Sequence, residues 1–277
     1  MESGGVTASL TEAWRYLMSK RDPRTKDMLF IGDIRFIVAV LGLYLYIVYH
    51  GGPRFMRNRQ PYNLKPAIMA YNFAMVVLNV FFMFKFFQHS FWYGGYSVFC
   101  QGMTHSTDYH SLMLLHYSWW YLFVRIGDFL DTFFFLLRKK YSHLSALHVS
   151  HHALVVWSGW LWLAFGGDGQ VLLGIMSGPS VQQYLWWKKY LTTMQITQFV
   201  VLLIHICIPL VYDCGYPRIM IGLAFAQGLL GLVLFINFYV HEYIKRKGRK
   251  SAAKQVESDG GQTQATARSA GDRPKKA

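Results

Sequence analysis

The stretch Leu147-His148-Val149-Ser150-His151-His152 opens an apolar run that continues to Phe165. On an α-helix, residues three and four positions apart lie on one face, so His148, His151 and His152 are expected to share a face. Ionisable rings inside hydrocarbon-like sequence are costly unless they face a protein interior. The stretch therefore predicts a membrane-embedded helix with a histidine site, rather than three ordinary core histidines.

A second apolar run carries Arg125, Asp128 and Asp131, which are also spaced by three. Leaving each such group in a bilayer costs about 2.5–3.5 kcal/mol on insertion scales. We therefore expect this ionisable face to point into the protein, beside the histidine helix.

The composition indicates a membrane protein. Of the 277 residues, 53% are apolar and only 15% are charged, and the apolar residues come in long runs. Runs of about 20 residues predict six spans: 29–49, 67–87, 119–137, 147–165, 190–211 and 219–240. No sheet pattern competes with them, so the predicted fold is an all-α integral membrane protein, a polytopic helix bundle with about six full spans. Residues 1–28 are polar, without the pattern of a removable signal peptide.

Basic residues orient the predicted spans. They cluster after spans one, three and six, whereas 88–116 contains no Lys or Arg. The positive-inside rule makes those clusters cytosolic and 88–116 lumenal. The formal charge of +14 then reflects topology, and the absence of a recognition module excludes nucleic acid as a partner.

This topology contains one contradiction. The fourth predicted span, 147–165, crosses to the lumen, whereas the basic pair Lys188 and Lys189 should be cytosolic. The chain must therefore cross the membrane once more between them. Only the short apolar run 171–176 lies between them, and six residues rise about 9 Å against a hydrocarbon core of about 30 Å. Either the two lysines are lumenal, or most of one span is missing.

The cysteines and the tail allow further predictions. Cys100 and Cys214 fall in two predicted lumenal loops, where a disulfide or two free thiols would both be consistent with the sequence; Cys207 lies inside a span. Residues 246–277 lack aromatic side chains and predict a disordered basic cytosolic tail after the transmembrane domain 29–245. Lys275 and Lys276 resemble a displaced dilysine retrieval signal of the endoplasmic reticulum (ER), or form part of a solvated tail.

Several motifs in a fixed order resemble the very-long-chain fatty acid elongase family. The region from Arg125 to His152 is similar to its (K/R)xx(E/D)xxDTxFFxLRKK…LHVxHH signature. Matches continue in GPxxMxxRxPxxLxxxxxxYN from Gly52 to Asn72, in WWKKYLTxxQxxQF from Trp186 to Phe199, and in NFYxxxY from Asn237 to Tyr243. Arg125 stands where the family usually has Lys, which keeps the charge but not the geometry.

The resemblance implies an acyltransferase of the ER membrane, a 3-oxoacyl-CoA synthase that condenses a long-chain acyl-CoA with malonyl-CoA. It implies a seven-helix fold with the acyl chain in a tunnel, and no bound cofactor or metal. The 3-oxoacyl-CoA reductase, 3-hydroxyacyl-CoA dehydratase and enoyl-CoA reductase of the elongation cycle would be partners, and elongases could form homo- or hetero-oligomers.

Site roles follow from the chemistry of thioesters. We expect His151 to accept the acyl group, and His148 and His152 to orient it or to transfer protons. Asp128 or Asp131 would supply a hydrogen-bond acceptor, and Arg125 would stabilise the malonyl carboxylate or the developing enolate.

A further set of polar residues is predicted to bind substrate, either at CoA or along the tunnel. Its members are Arg138, Lys139, Lys140, Lys188, Lys189, Gln195 and Gln198. Solvated membrane flanks are the alternative interpretation of the basic ones.

The chain departs from the family where the topology fails. Elongases carry an N-x-x-x-H-x-x-M-Y-x-Y-Y box between the HxxHH helix and WWKKY, and here the sequence passes from Met176 to Ser180 without it. We expect the loss of this histidine and of a tunnel wall to reduce condensation severely.

Three alternatives have less support from the residues. A membrane di-iron desaturase also uses HxxHH, but it needs about eight histidines in three clusters. A non-catalytic partner or competitor of active elongases is favoured only by the missing box. A transporter is favoured only by charges within the spans.

Overall fold

The computed structural model describes residues 12, 15, 16, 18–166 and 188–245 of the chain. Seven helices organise this part. They are α1 (Ile34–Met56), α2 (Lys65–Trp92), α3 (Tyr109–Gly127), α4 (Phe129–Leu137), α5 (Ala146–Phe165), α6 (Lys188–Val211) and α7 (Arg218–Tyr239). A final π-helical turn, Val240–Lys245, extends α7. The described residues contain no strand, as the sequence predicts.

Four of these helices are long and apolar enough to cross a membrane: α1, α2, residues Thr192–Val211 of α6, and α7. Large apolar side chains on them point outward; Met69 and Phe73 of α2, for example, are 72% and 73% exposed. In a bilayer such side chains face lipid. The chain is therefore a polytopic helical membrane protein. The predicted spans 119–137 and 147–165 are helical but are not among these four: 119–137 is divided between α3 and the nine-residue α4, and α5 contains three histidines in its first turns.

Two predicted boundaries are wrong. Helix α3 begins at Tyr109 rather than near residue 119, because the Asp108 side chain caps it by accepting hydrogen bonds from the backbone N–H groups of His110 (2.9 Å) and Ser111 (3.0 Å). Part of the predicted lumenal loop is therefore helix. Helix α1 continues to Met56 through a π-helical turn, Ile47–Gly51, which precedes Pro53, a residue without a backbone N–H.

The predicted span 119–137 is also divided. Helix α3 ends at Gly127 and α4 begins at Phe129, with Asp128 at the junction. The junction allows the Asp128 side chain to turn back towards Arg125, one turn earlier.

Backbone contacts define two ends of the bundle. At one end, the Tyr62 N–H donates to the Leu137 carbonyl at 3.0 Å, so the basic α1–α2 connection meets the basic end of α4. At the other end, Cys100 and Cys214 form a disulfide, and Arg24 donates to the Ser106 carbonyl at 2.6 Å. This arrangement agrees with the orientation expected from charge.

The ends of α5 and α6 bear on the contradiction in the topology. Both helices finish at the disulfide end, since Gly166 lies beside Met103 and Gly102 lies beside the Cys214 carbonyl. Helix α6 therefore starts at the basic end, which favours the cytosolic alternative for Lys188 and Lys189 over the lumenal one. Residues 167–187, where the family's box was expected, lie outside the described residues, as does the tail 246–277.

A segment before α1 packs onto the disulfide end of the bundle, although the sequence predicted only a polar extension. Asp22 and Thr25 are both fully buried. The Thr25 hydroxyl donates to the Leu163 carbonyl at 2.8 Å, and the indole N–H of Trp119 donates to the Leu29 carbonyl at 2.9 Å. The segment thereby satisfies backbone carbonyls at the end of α5 and joins α3 to α5.

The main hydrophobic core lies between α1, α3, α4 and α5. The rings of Tyr44 and Phe129 stack with their centroids 3.9 Å apart. Leu115, Val156 and Trp160 belong to the same cluster, and each is at most 1% exposed. This core fixes α5, the helix that carries the histidines, against α1 and α4.

We expect Asp22→Asn to lower the free energy of unfolding by about 3–5 kcal/mol, because it removes the buried carboxylate that pairs with the Arg24 guanidinium. Burial alone would raise the pKa of Asp22, but hydrogen bonds and charge from Arg24 lower that pKa below its ordinary value. The carboxylate therefore stabilises the fold above the unfolded pKa of about 3.9, and this contribution is lost as the pH falls through the lower folded pKa.

Thermal unfolding in detergent, measured from neutral pH to pH 3, tests this expectation. Asp27→Asn provides a control in the same segment. Equal melting temperatures for the wild type and Asp22→Asn at neutral pH would contradict it.

Replacing both Cys100 and Cys214 with Ser should lower the free energy of unfolding by about 2–4 kcal/mol, because the disulfide closes a loop with a sequence separation of 114. Cys207→Ser is the matched control. Titration of the denatured, unreduced wild type should find one reactive thiol, that of Cys207; three reactive thiols would show that the bridge does not form.

Candidate active site

A cavity of about 240 Å³ lies between α3, α5, α6 and α7. Its walls are mainly aliphatic and aromatic side chains. The charged, imidazole and amide groups on its walls belong to Arg125, His151, Gln195, Gln198 and Gln227. A mainly apolar cavity with a few polar groups is typical of a binding site for an apolar ligand with a polar, reactive end.

Close helix packing shapes one wall of the cavity. A side chain at Gly231 of α7 would come within 2.7 Å of the Phe199 ring on α6. The Phe199 ring therefore packs directly over Gly231, and a larger residue there would displace the ring. The pair meets α5 through Gln227, whose amide donates to the Ser158 hydroxyl and, at 3.5 Å, to the Leu154 carbonyl.

The first turns of α5 hold the HxxHH residues. Ser145 caps the helix, its hydroxyl accepting from the His148 backbone N–H at 3.2 Å. The His148 Nε2 lies 3.1 Å from the Thr132 hydroxyl of α4. His151 instead turns towards α7, with its ring 6.0 Å from that of Phe235, and lines the cavity.

The spacing predicted that the three histidines share one face. In the structure they lie in two different environments. The His148 and His152 rings are in edge contact, with centroids 4.5 Å apart, and neither is among the residues lining the cavity. His151 lies 5.5 Å from His152. A three-residue offset turns a helix by about 60° short of a full turn, which is enough to place His151 against a different neighbour.

Arg125 is the buried cation of the site and is 4% exposed. Its Nη1 lies 3.0 Å from an oxygen of Asp128, and its Nη2 donates to the Asn79 amide oxygen at 2.7 Å. The Tyr121 hydroxyl donates to the same oxygen at 3.1 Å. Within the described part of the chain, the buried Arg125 Nε has no hydrogen-bond partner, so the guanidinium is not fully satisfied by the residues around it.

Asp128 does not take the role expected for it beside a histidine. Its carboxylate pairs with Arg125 and accepts from the Tyr71 hydroxyl at 3.5 Å. A buried carboxylate is stabilised most by a nearby cation, and the helix junction aims it there. Asp131 lies half-buried on α4, and its expected role stays a prediction.

The predicted substrate residues are distributed between the cavity and the basic end. Gln195 and Gln198 of α6 lie on the cavity wall. Arg138, Lys139 and Lys140 follow α4 at the basic end, where Lys139 has a positive φ of 53°. The side chains of Lys188 and Lys189 lie outside the described residues.

Sequence reasoning missed Asn79, Tyr71 and Thr132 as members of the polar network. Tyr71 and Thr132 fall inside the quoted motifs, so their presence there was a usable signal. Asn79 sits in the apolar run of α2, where a lone amide within a predicted span was itself a sign of a buried partner.

Comparison with known proteins identifies the family of the chain. Residues 29–251 match the family model described as "ELO: GNS1/SUR4 family". The chain is 35% identical to very long chain fatty acid elongase 7 of Drosophila melanogaster, covering 87% of this chain and 79% of that protein.

Vertebrate relatives give the same result. Elongase 7 of Rattus norvegicus is 35% identical, over 81% of this chain and 86% of its own length. Elongase 4 of Homo sapiens is 32% identical, over 90% of this chain and 85% of its own length. The chain therefore belongs to the very-long-chain fatty acid elongase family.

Proposed function

We propose that this chain condenses a long-chain acyl-CoA with malonyl-CoA to give a 3-oxoacyl-CoA that is two carbons longer. The observation that carries the proposal is that His151 and Arg125 open into the same, mainly apolar cavity. The apolar walls suit the acyl chain, the imidazole suits attack on its thioester, and the guanidinium suits a carboxylate or enolate.

The first step transfers the acyl group to the protein. A nitrogen of neutral His151 attacks the thioester carbonyl, the C–S bond breaks, and CoA leaves as its thiolate. The product is an acyl-imidazolium at His151, which carries the positive charge that balances the thiolate. No separate base is needed, because the neutral imidazole supplies the electron pair.

The second step forms the carbon–carbon bond. Loss of CO2 from malonyl-CoA leaves an enolate, whose α-carbon attacks the acyl carbon and expels neutral His151. Arg125 stabilises first the malonyl carboxylate and then the enolate oxygen. Asp128 and Asn79 hold the guanidinium in position, since each contacts one of its two terminal nitrogens.

Other parts of the proposal follow from the family. The protein would act in the ER membrane without a bound cofactor, beside the separate 3-oxoacyl-CoA reductase, 3-hydroxyacyl-CoA dehydratase and enoyl-CoA reductase, and could form elongase oligomers. Arg138, Lys139 and Lys140 at the basic end would attract the CoA phosphates. Condensation is expected to be slow, because 167–187 contains no histidine to replace that of the family's N-x-x-x-H box.

We expect His151→Ala to abolish condensation, because it removes the acyl acceptor. The assay measures transfer of labelled malonyl carbons to acyl-CoA in microsomes without endogenous elongases. Incubation with acyl-CoA alone should leave an acyl group on His151, detectable by mass spectrometry of the peptide. Ser150→Ala, whose hydroxyl donates to the Ala146 carbonyl at 2.6 Å, is the control on the same helix.

The same assay tests the effect of the missing box. A version with a full span carrying the N-x-x-x-H-x-x-M-Y box should form product at least about tenfold faster than the chain itself. Equal rates would show that the box is not needed here. Product that persists in His151→Ala would refute its role as acyl carrier. No product in either version, together with altered output of a co-expressed active elongase, would favour the non-catalytic alternative.

Asn79→Leu should raise the KM for malonyl-CoA about 5- to 50-fold, because it removes the acceptor that orients the Arg125 guanidinium and leaves two donors unpaired, a loss of about 1–2.3 kcal/mol. Tyr121→Phe, which removes only the second donor to Asn79, is the matched control and should change KM less. An unchanged KM for malonyl-CoA in Asn79→Leu would show that Arg125 needs no support from α2.

A further inference from the structure

A chain of three polar side chains, two of them buried and the third, that of His148, half-buried, links α1, α4 and α5 behind the cavity. The Tyr44 hydroxyl lies 3.0 Å from Thr132 Oγ1, which lies 3.1 Å from His148 Nε2. Tyr44 is 1% exposed and Thr132 is fully buried. None of these contacts reaches the cavity lining, so the chain is distinct from the groups that would touch substrate.

The direction of the two hydrogen bonds follows from the number of donors. Each hydroxyl has one proton, and each proton needs an acceptor, because an unpaired buried donor costs about 1–3 kcal/mol. Within the described part of the chain, Tyr44 OH contacts only Thr132 Oγ1, so Tyr44 must donate to Thr132. The remaining acceptor for the Thr132 proton is His148 Nε2.

The backbone offers no alternative to this direction. Ser118, Ser150 and Ser158 each donate to a carbonyl four residues earlier, but among the described residues Thr132 has only the Tyr44 and His148 contacts. If His148 Nε2 carried a proton, both neighbours would donate to Thr132 and its own proton would have no acceptor. An accepting Nε2 requires the neutral ring to carry its proton on Nδ1.

We propose that Tyr44 and Thr132 are positioning residues that hold His148 as a neutral imidazole protonated on Nδ1. The consequence for catalysis rests on the proposed function. The His148 ring is in edge contact with the His152 ring, with centroids 4.5 Å apart. The centroid of the His152 ring is in turn 5.5 Å from that of the acyl carrier His151. Phe135 closes the far side of His148 at 5.4 Å. Tyr44, Thr132 and His148 thus fix the position of the His152 ring, which lies beside the reacting ring of His151.

The first test reads the tautomer directly, without any activity. Solid-state NMR of the full chain in bilayers, with histidine labelled by 15N and 13C, identifies which ring nitrogen of each histidine carries hydrogen. The chain has 11 histidines, and subtracting the spectrum of His148→Gln isolates His148. We expect a protonated Nδ1 in the wild type and in Thr132→Ser. We expect a mixture or a protonated Nε2 in Thr132→Val and in Tyr44→Phe.

The second test measures condensation by the same variants. Thr132→Val keeps the shape of the side chain and should lower kcat about 10- to 100-fold with KM within about twofold. Tyr44→Phe should lower kcat about 2- to 10-fold. Thr132→Ser, which keeps the hydroxyl, should have a kcat close to that of the wild type. Tyr46→Phe, an exposed tyrosine on the same helix, is the control.

The outcomes separate this proposal from the proposed function. A wild-type His148 protonated on Nε2 overturns the proposal whatever the activity, and a Thr132→Val kcat equal to that of the wild type removes its catalytic part. Condensation absent from the wild type contradicts the proposed function alone, because the tautomer is still measured. If a variant does not fold, the wild-type spectrum decides.

Discussion

The ion pair between Arg125 and Asp128 is the interaction on which the site depends. Removing both charges from water costs several kcal/mol each, and the pair is tolerated because Asn79 and Tyr71 satisfy additional hydrogen-bonding atoms. Those two partners lie on α2. The need to pair two buried charges therefore ties α2 to the α3–α4 junction, and it places the guanidinium at the edge of the cavity.

The HxxHH motif of helix α5 places its histidines in two different environments. On the side of α4, His148 meets a hydroxyl and is shielded from the cavity. On the side of α7, His151 meets Phe235 and the apolar space. One helix thus presents a supporting ring and a reacting ring, because residues three apart on a helix point in directions about 60° apart.

The disulfide end of the bundle closes around the same arrangement. The segment with Asp22 and Thr25 covers the end of α5, and the bond between Cys100 and Cys214 attaches the α6–α7 pair to the loop before α3. The cavity lies between α3, α5, α6 and α7, so these links hold its two sides together. Where α6 packs on α7, the Phe199 ring occupies the space left by Gly231.

The sequence by itself determined that the chain is a helical membrane protein and which family it belongs to, because apolar length and motif order are local properties. It did not predict the start of α3 at Tyr109, which depends on a cap, or the packing of the segment before α1. Only the tertiary structure decided that Asp128 pairs with Arg125, that Asn79 contacts Arg125, and that Tyr44 contacts Thr132. The physical reason is that a buried polar group is satisfied by whichever neighbour the fold brings near, here across 46 positions for Arg125 and Asn79 and 88 for Tyr44 and Thr132, and spacing along one helix carries no information about the next.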